Sequence, residues 1–120
     1  MTAASLDPPL SDLVTVELTE FDGAARLTVT GEVDSSSATV LRAELDAVLD
    51  AGPVELVVDL DGVTFLDSAG LAVLAGAHRR ASADDVRLRV LASGRAVIRP
   101  MQITGLYDLL DVAGDKSGAA

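Results

Sequence analysis

Residues 54–60, Val-Glu-Leu-Val-Val-Asp-Leu, constrain the fold more than any other stretch of this chain. Their centre, Leu56-Val57-Val58, is apolar at consecutive positions, which predicts a central strand covered on both faces. Such a strand needs strands beside it and helices above it, and the flanking sequence supplies both. Residues 35–52 place Leu41, Leu45, Val48 and Leu49 at helical spacing, start in a serine cluster able to cap free N–H groups, and stop near Gly52-Pro53. A second helix is predicted from Ser68 to about Ala83, with Leu71, Leu74 and Ala77-His78 as its apolar stripe and Arg79-Arg80 suiting its C-terminal dipole.

Periodicity of two marks the remaining strands. Residues 14–18 and 26–30 alternate apolar and polar on either side of Asp22-Gly23, predicting a β-hairpin with a loop longer than two residues. Residues 86–91 alternate again, with Arg87 and Arg89 on one side, so part of one sheet face is expected to meet water. A shorter helix is predicted over 94–104, with Pro100 stopping or kinking it, and 105–112 reads equally as a short helix or a last strand. The order β-β-α-β-α-β-α implies right-handed crossovers between parallel neighbours, with the hairpin adding an antiparallel edge. The expected architecture is α/β, a single domain over residues 13–112. Its mixed sheet has four to five strands, and three to four helices pack mainly on one face. Residues 1–12 and 113–120 are expected to be flexible arms.

Composition removes several function classes. The aromatics are Phe21, Phe65 and Tyr107, too few for a nucleic-acid site built on stacked rings, and the core must be aliphatic. The net charge of -10 repels phosphate backbones and anionic membranes. There is no cysteine, which excludes disulfides, thiolate catalysis and Cys-ligated metals. The first residues lack the basic start and apolar centre of a signal peptide, and no apolar run approaches the ~18 residues of a membrane span. The chain reads as soluble and cytoplasmic, with no nucleic-acid partner, no membrane insertion and no cofactor.

The chemistry narrows to one short stretch, Thr64 to Leu74, where an acid, a hydroxyl and a glycine precede an apolar run. Ser68 lacks the flanking glycines of a hydrolase elbow. His78, the only histidine, lies ten residues further along the predicted helix. At ~1.5 Å per residue that is ~15 Å, against the ~3 Å a nucleophile and its base require. Asp59, Asp61 and Asp34 sit near strand ends, where sites form in open α/β sheets. A phospho-aspartate site would also want a lysine, and the only one is Lys116. Asp59 and Asp61 read instead as turn and strand-end residues. Asp67 or Ser68 can cap the helix start. Gly70 costs about 1 kcal/mol against alanine inside a first turn. That is a cost accepted where something, such as a partner's surface, must approach the backbone closely.

Two segments carry a family resemblance. Leu27 to Leu45 contains Gly31-Glu32-x-Asp34, and Leu56 to Leu74 contains Asp67-Ser68-x-Gly70-Leu71. With this spacing and element order, residues 13 to 112 resemble a STAS domain, specifically the stand-alone anti-sigma factor antagonist type. The resemblance implies that Ser68 is phosphorylated by an anti-sigma factor that is also an ATP-dependent serine kinase. It further implies that Asp34 lies beside that serine, and that the partner contacts Asp34, Ser35, Asp67, Ser68, Ala69, Gly70 and Leu71. The unphosphorylated form is expected to bind the anti-sigma factor and release a sigma factor. Phosphorylation would end that binding and a serine phosphatase would restore it. Ala69 stands where many relatives carry a second serine, leaving Ser68 as the sole hydroxyl of the motif. The alternative is a STAS scaffold or cytosolic subunit of a stress-signalling or transport assembly that is never phosphorylated. A small hydrolase is the least supported reading, so no enzymatic activity is expected.

Overall fold

The computed structural model describes residues 13–113; the expected arms lie outside the described residues, apart from Ala113. The elements are β1 (Val14–Phe21), β2 (Ala24–Val33), α1 (Ala38–Asp50), β3 (Glu55–Leu66), α2 (Ser68–Ala83), β4 (Arg87–Leu91), α3 (Arg95–Thr104), α4 (Leu106–Leu109) and β5 (Val112–Ala113). The strands form one sheet in the order β1-β2-β3-β4-β5, antiparallel between β1 and β2 and parallel elsewhere. Every crossover steps to the next strand in the same direction. Right-handed connection therefore puts the connecting helices on a single face and leaves the other bare.

That one-sidedness corrects the expectation for β3. Leu56, Val58 and Leu60 are buried, whereas Val57 and Asp59 on the opposite face are only half-buried. Val57 lies in register between Arg26 of β2 and Arg89 of β4. Long arginine stems shield such a position while their charged heads stay wet. Arg26 pairs with Asp59, and Arg89 lies 3.6 Å from Glu55 and 3.7 Å from Asp111. The continuous apolar run therefore records arginine neighbours, not a second layer of helices.

On the helical face the core is aliphatic throughout. Leu27, Val29, Leu56, Val58 and Val90 from the sheet are buried in one cluster with Leu41 and Leu45 of α1, Leu74 of α2 and Met101 of α3. Each such side chain contributes about 1.5–3 kcal/mol by leaving water. Arg80 ties the far ends of α1 and α2 together by reaching Asp50 and Asp84, and these partners raise its pKa.

Local differences from the sequence reading have simple causes. The hairpin loop is two residues, not longer, because Asp22 (φ 52°) and Gly23 (φ 81°) both take the left-handed conformation a tight turn needs. Pro100 sits inside α3 without stopping it; the helix ends at Gly105, φ 84°. The ambiguous segment contains both elements, α4 and then β5. Ala113, expected in the tail, pairs with Leu91.

The pairing of β2 with β3 slips twice. Thr28 faces Asp59 but Thr30 faces Gly62, and Gly31 faces Val63 but Glu32 faces Phe65. β3 gains one residue at each slip, so its buried positions step by three through Leu60, Val63 and Leu66. The bulged strand ends with Leu66 opposite Val33. Gly31 makes this possible from the other side. Its φ is +104°, and a Cβ there would collide with the Leu13 carbonyl, which accepts a 2.8 Å hydrogen bond from Glu32 N–H. Gly31→Ala is expected to lower the unfolding free energy by about 3 kcal/mol, read as a reduced urea midpoint at unchanged m-value.

Candidate functional site

The site is built where β2 and β3 end. Val33 and Leu66 are register partners, and Asp67 N–H donates to the Val33 carbonyl at 3.1 Å. Asp34 and Ser68 are each one residue beyond this bond, so the two expected motifs, distant in sequence, meet at one pole of the sheet. This is the carboxyl end of parallel strands, where open α/β sheets place their sites.

A helix start leaves four N–H groups without intrahelical partners. In α2 three are already satisfied. Asp67 N–H goes to Val33, and the Asp67 carboxylate accepts from Ala69 N–H at 2.9 Å and Gly70 N–H at 3.3 Å. Asp67 is therefore the cap, which settles the choice between it and Ser68. Ser68 is the first helical residue and is exposed, and none of the described residues hydrogen-bonds its hydroxyl. The capping duty has been taken away from it, leaving its Oγ open to solvent.

Asp34 organises the neighbouring turn. Its Oδ1 accepts from Ser36 N–H at 2.8 Å, Ser36 Oγ at 2.7 Å and Ser37 N–H at 3.1 Å. The Ser36 hydroxyl is the largest cause, followed by the Ser36 backbone N–H, of a carboxyl pKa below the ordinary aspartate value. Asp34 is thus held as a fixed negative charge beside the Ser68 surface. Sequence reasoning does not single out Ser37, yet its buried hydroxyl fastens the turn: Oγ donates to the Glu32 carbonyl at 2.7 Å and accepts from Asp34 N–H at 2.9 Å. The available signal is a serine three residues after an aspartate, directly ahead of an apolar helical run. Since Ser37 is committed to β2, the serine cluster does not supply the α1 cap through its side chains.

The remaining expected contact residues divide into two groups. Ser35 is exposed and Ala69 half-buried, and both border an open groove of about 620 Å³ between α1 and α2. Gly70 and Leu71 are buried. A Cβ on Gly70 would collide with Leu66 Cδ1 and lie 2.8 Å from Val33 Cγ1. The close approach at Gly70 is therefore made from within by the ends of β2 and β3; the glycine lets α2 sit down on the two strands.

The rejected chemistries stay apart. Ser68 and His78 share α2, which separates them by about 15 Å along the axis. Asp59 pairs with Arg26 and accepts from Asp61 N–H, while Asp61 accepts from Ser93 Oγ. Among the described residues no group of three His, Cys, Asp or Glu side chains could hold a metal ion. No helix among them is long and apolar enough to cross a membrane.

Comparison with known proteins follows the same residues. The family model described as "Mlab, STAS domain" matches residues 16–111. The anti-sigma-F factor antagonist RsfB of Mycobacterium tuberculosis is 35% identical over 95 residues, 79% of this chain and 77% of the relative. The anti-sigma-B factor antagonist of Bacillus subtilis is 29% identical over 105 residues, 88% and 95% of the two chains. The crystal structure of an anti-sigma factor antagonist from Mycobacterium paratuberculosis superposes with a TM-score of 0.78 at 34% identity, covering 87% of this chain and 86% of that one.

Two outcomes test the geometry. Gly70→Ala is expected to cost about 1–3 kcal/mol in urea unfolding through overpacking against Leu66 and Val33. An unchanged or raised stability would mean that the position opens outward. The Asp34 carboxyl is expected to titrate, by NMR, below the ordinary aspartate range, and Ser36→Ala to move its midpoint up. Because the folded pKa is lowered, the stability Asp34 contributes is present above its unfolded value and is lost as pH falls through the folded one.

Proposed function

We propose, from the premise that this chain belongs to the STAS domain family, that it is an anti-sigma factor antagonist switched at Ser68. The unphosphorylated protein binds an anti-sigma factor and thereby frees a sigma factor; phosphate on Ser68 ends that binding. The supporting observation is the Ser68 hydroxyl itself. It is exposed at a helix start, released from capping by Asp67 and set beside the ionised Asp34 turn. The relatives named anti-sigma-F and anti-sigma-B factor antagonist supply the partner class.

In this reading the partner is a serine kinase that carries the ATP. Ser68 Oγ loses its proton, takes the terminal phosphoryl group, and ADP leaves. A serine phosphatase returns the hydroxyl by hydrolysis. The domain is the substrate of both steps and catalyses neither. The added group brings about -1.5 to -2 charge at neutral pH. The α2 dipole favours it, but only the Ser68 N–H remains free to bond it, because Asp67 holds the next two donors. The phosphate therefore stays outward and hydrated. A partner packed over Ser68 would face it together with Asp34 and Asp67. Like-charge juxtaposition and desolvation at an interface cost several kcal/mol, enough to reverse an ordinary affinity.

The partner is obtained by capture from the source cell on the unphosphorylated protein, with ADP or ATP present, and then purified. Incubation with that kinase and Mg-ATP is expected to add one phosphate, mapped to Ser68 by mass spectrometry and absent in Ser68→Ala. Ser68→Ala should retain the anti-sigma factor and Ser68→Asp should weaken it by about tenfold or more. Absence of phosphate on Ser68 with every kinase of the source cell would favour the unphosphorylated scaffold. Equal binding by both variants would remove the switch.

A further inference from the structure

A second surface adjoins the switch and is not explained by it. α3 presents Arg95, Arg99 and Ile103 at four-residue intervals along one stripe. Across from them lie Phe65 at the end of β3 and, beneath, Leu66 and Leu71; together they line an apolar groove of about 470 Å³. Ile103 is 76% exposed and Phe65 47%. Neither arginine forms an ion pair with any described residue. They share this with Arg42, Arg79 and Arg87; what sets Arg95 and Arg99 apart is that both line an apolar groove.

We infer that this groove is a second docking site for the anti-sigma factor, taking a segment in which a bulky apolar side chain is flanked by acidic residues. The inference rests on the proposed partner and adds where else that partner is held. Two observations choose the occupant. The groove is continuous with the switch surface, since Leu66 directly precedes Asp67 and Leu71 lies one helical turn after Ser68. Its rim is also the opposite of the switch in sign: two free arginines stand here, whereas Asp34 and Asp67 flank Ser68. A partner spanning both places meets a negative patch and a positive one. That fixes its orientation and leaves attraction at α3 when phosphate raises repulsion at Ser68. An apolar anchor filling the space between Phe65 and Ile103 would remove both from water.

The test uses the full chain and the purified anti-sigma factor captured as above. Arg95→Glu combined with Arg99→Glu, and separately Ile103→Ala, are compared with the unchanged protein and with Ser68→Asp by calorimetric titration; thermal unfolding confirms that each variant is folded. The double reversal is expected to weaken binding at least tenfold and Ile103→Ala about fivefold, while the kinase still modifies Ser68 at saturating concentration. Unchanged affinity in both groove variants, with Ser68→Asp still weakened, would overturn the groove and leave the switch standing. Weakening by the groove variants alone would keep the groove and remove the switch. Loss of binding to phosphatidylglycerol vesicles by the double reversal, with anti-sigma affinity unchanged, would assign the groove to a membrane surface and overturn the inference.

Discussion

The hydrogen bond from Asp67 N–H to the Val33 carbonyl is the point on which the site depends. It is the last link between two parallel strands, and each strand hands over to its helix within a few residues of it. Reaching it requires β3 to absorb two extra residues relative to β2, and requires Gly31 to accept a conformation and a contact that a side chain would forbid. Gly70 then lets α2 settle on Val33 and Leu66. The family motifs are in this sense mostly structural: glycines that permit contact, and aspartates that satisfy backbone donors. Ser68, the one hydroxyl of the Asp67-Ser68-x-Gly70-Leu71 motif, has no such duty.

That division explains how a small rigid domain can serve as a switch. Asp67 and Asp34 each fix their own turn through one carboxylate oxygen, Oδ1, so both loops are held before any partner arrives. A covalent phosphate on Ser68 has no structural bond to break. Its effect in the proposed mechanism falls on whatever packs against the surface, and the fold beneath is left as it was. The bare sheet face is stabilised separately by arginine–carboxylate pairs, and the aliphatic core lies on the far side of the sheet from it.

Much of this was legible in the sequence because it follows local rules. Strand and helix positions and the mixed sheet came from periodicity and crossover handedness, whereas the meeting of Asp34 with Ser68 at one pole was implied only by the family resemblance. What escaped depended on neighbours that no local window contains. Val57 made β3 read as covered on both faces because its flanking arginines sit on other strands. Gly70 seemed to leave space for a partner because Leu66 and Val33, which fill that space, are brought there only by the register of β2 and β3. Ser37 was hidden in a run of three serines, of which only tertiary structure distinguishes the buried one. The groove beside α3 was invisible for the same reason: Phe65 and Ile103 come together across two elements.

The central claim is that phosphate on Ser68 acts at an interface on an unmoved fold. The most direct measurement is the dissociation constant of the anti-sigma factor for protein carrying phosphoserine at position 68, set against the unmodified protein in the same buffer. A loss of about 100-fold, corresponding to about 3 kcal/mol, is predicted. Equal dissociation constants for the two forms would contradict it.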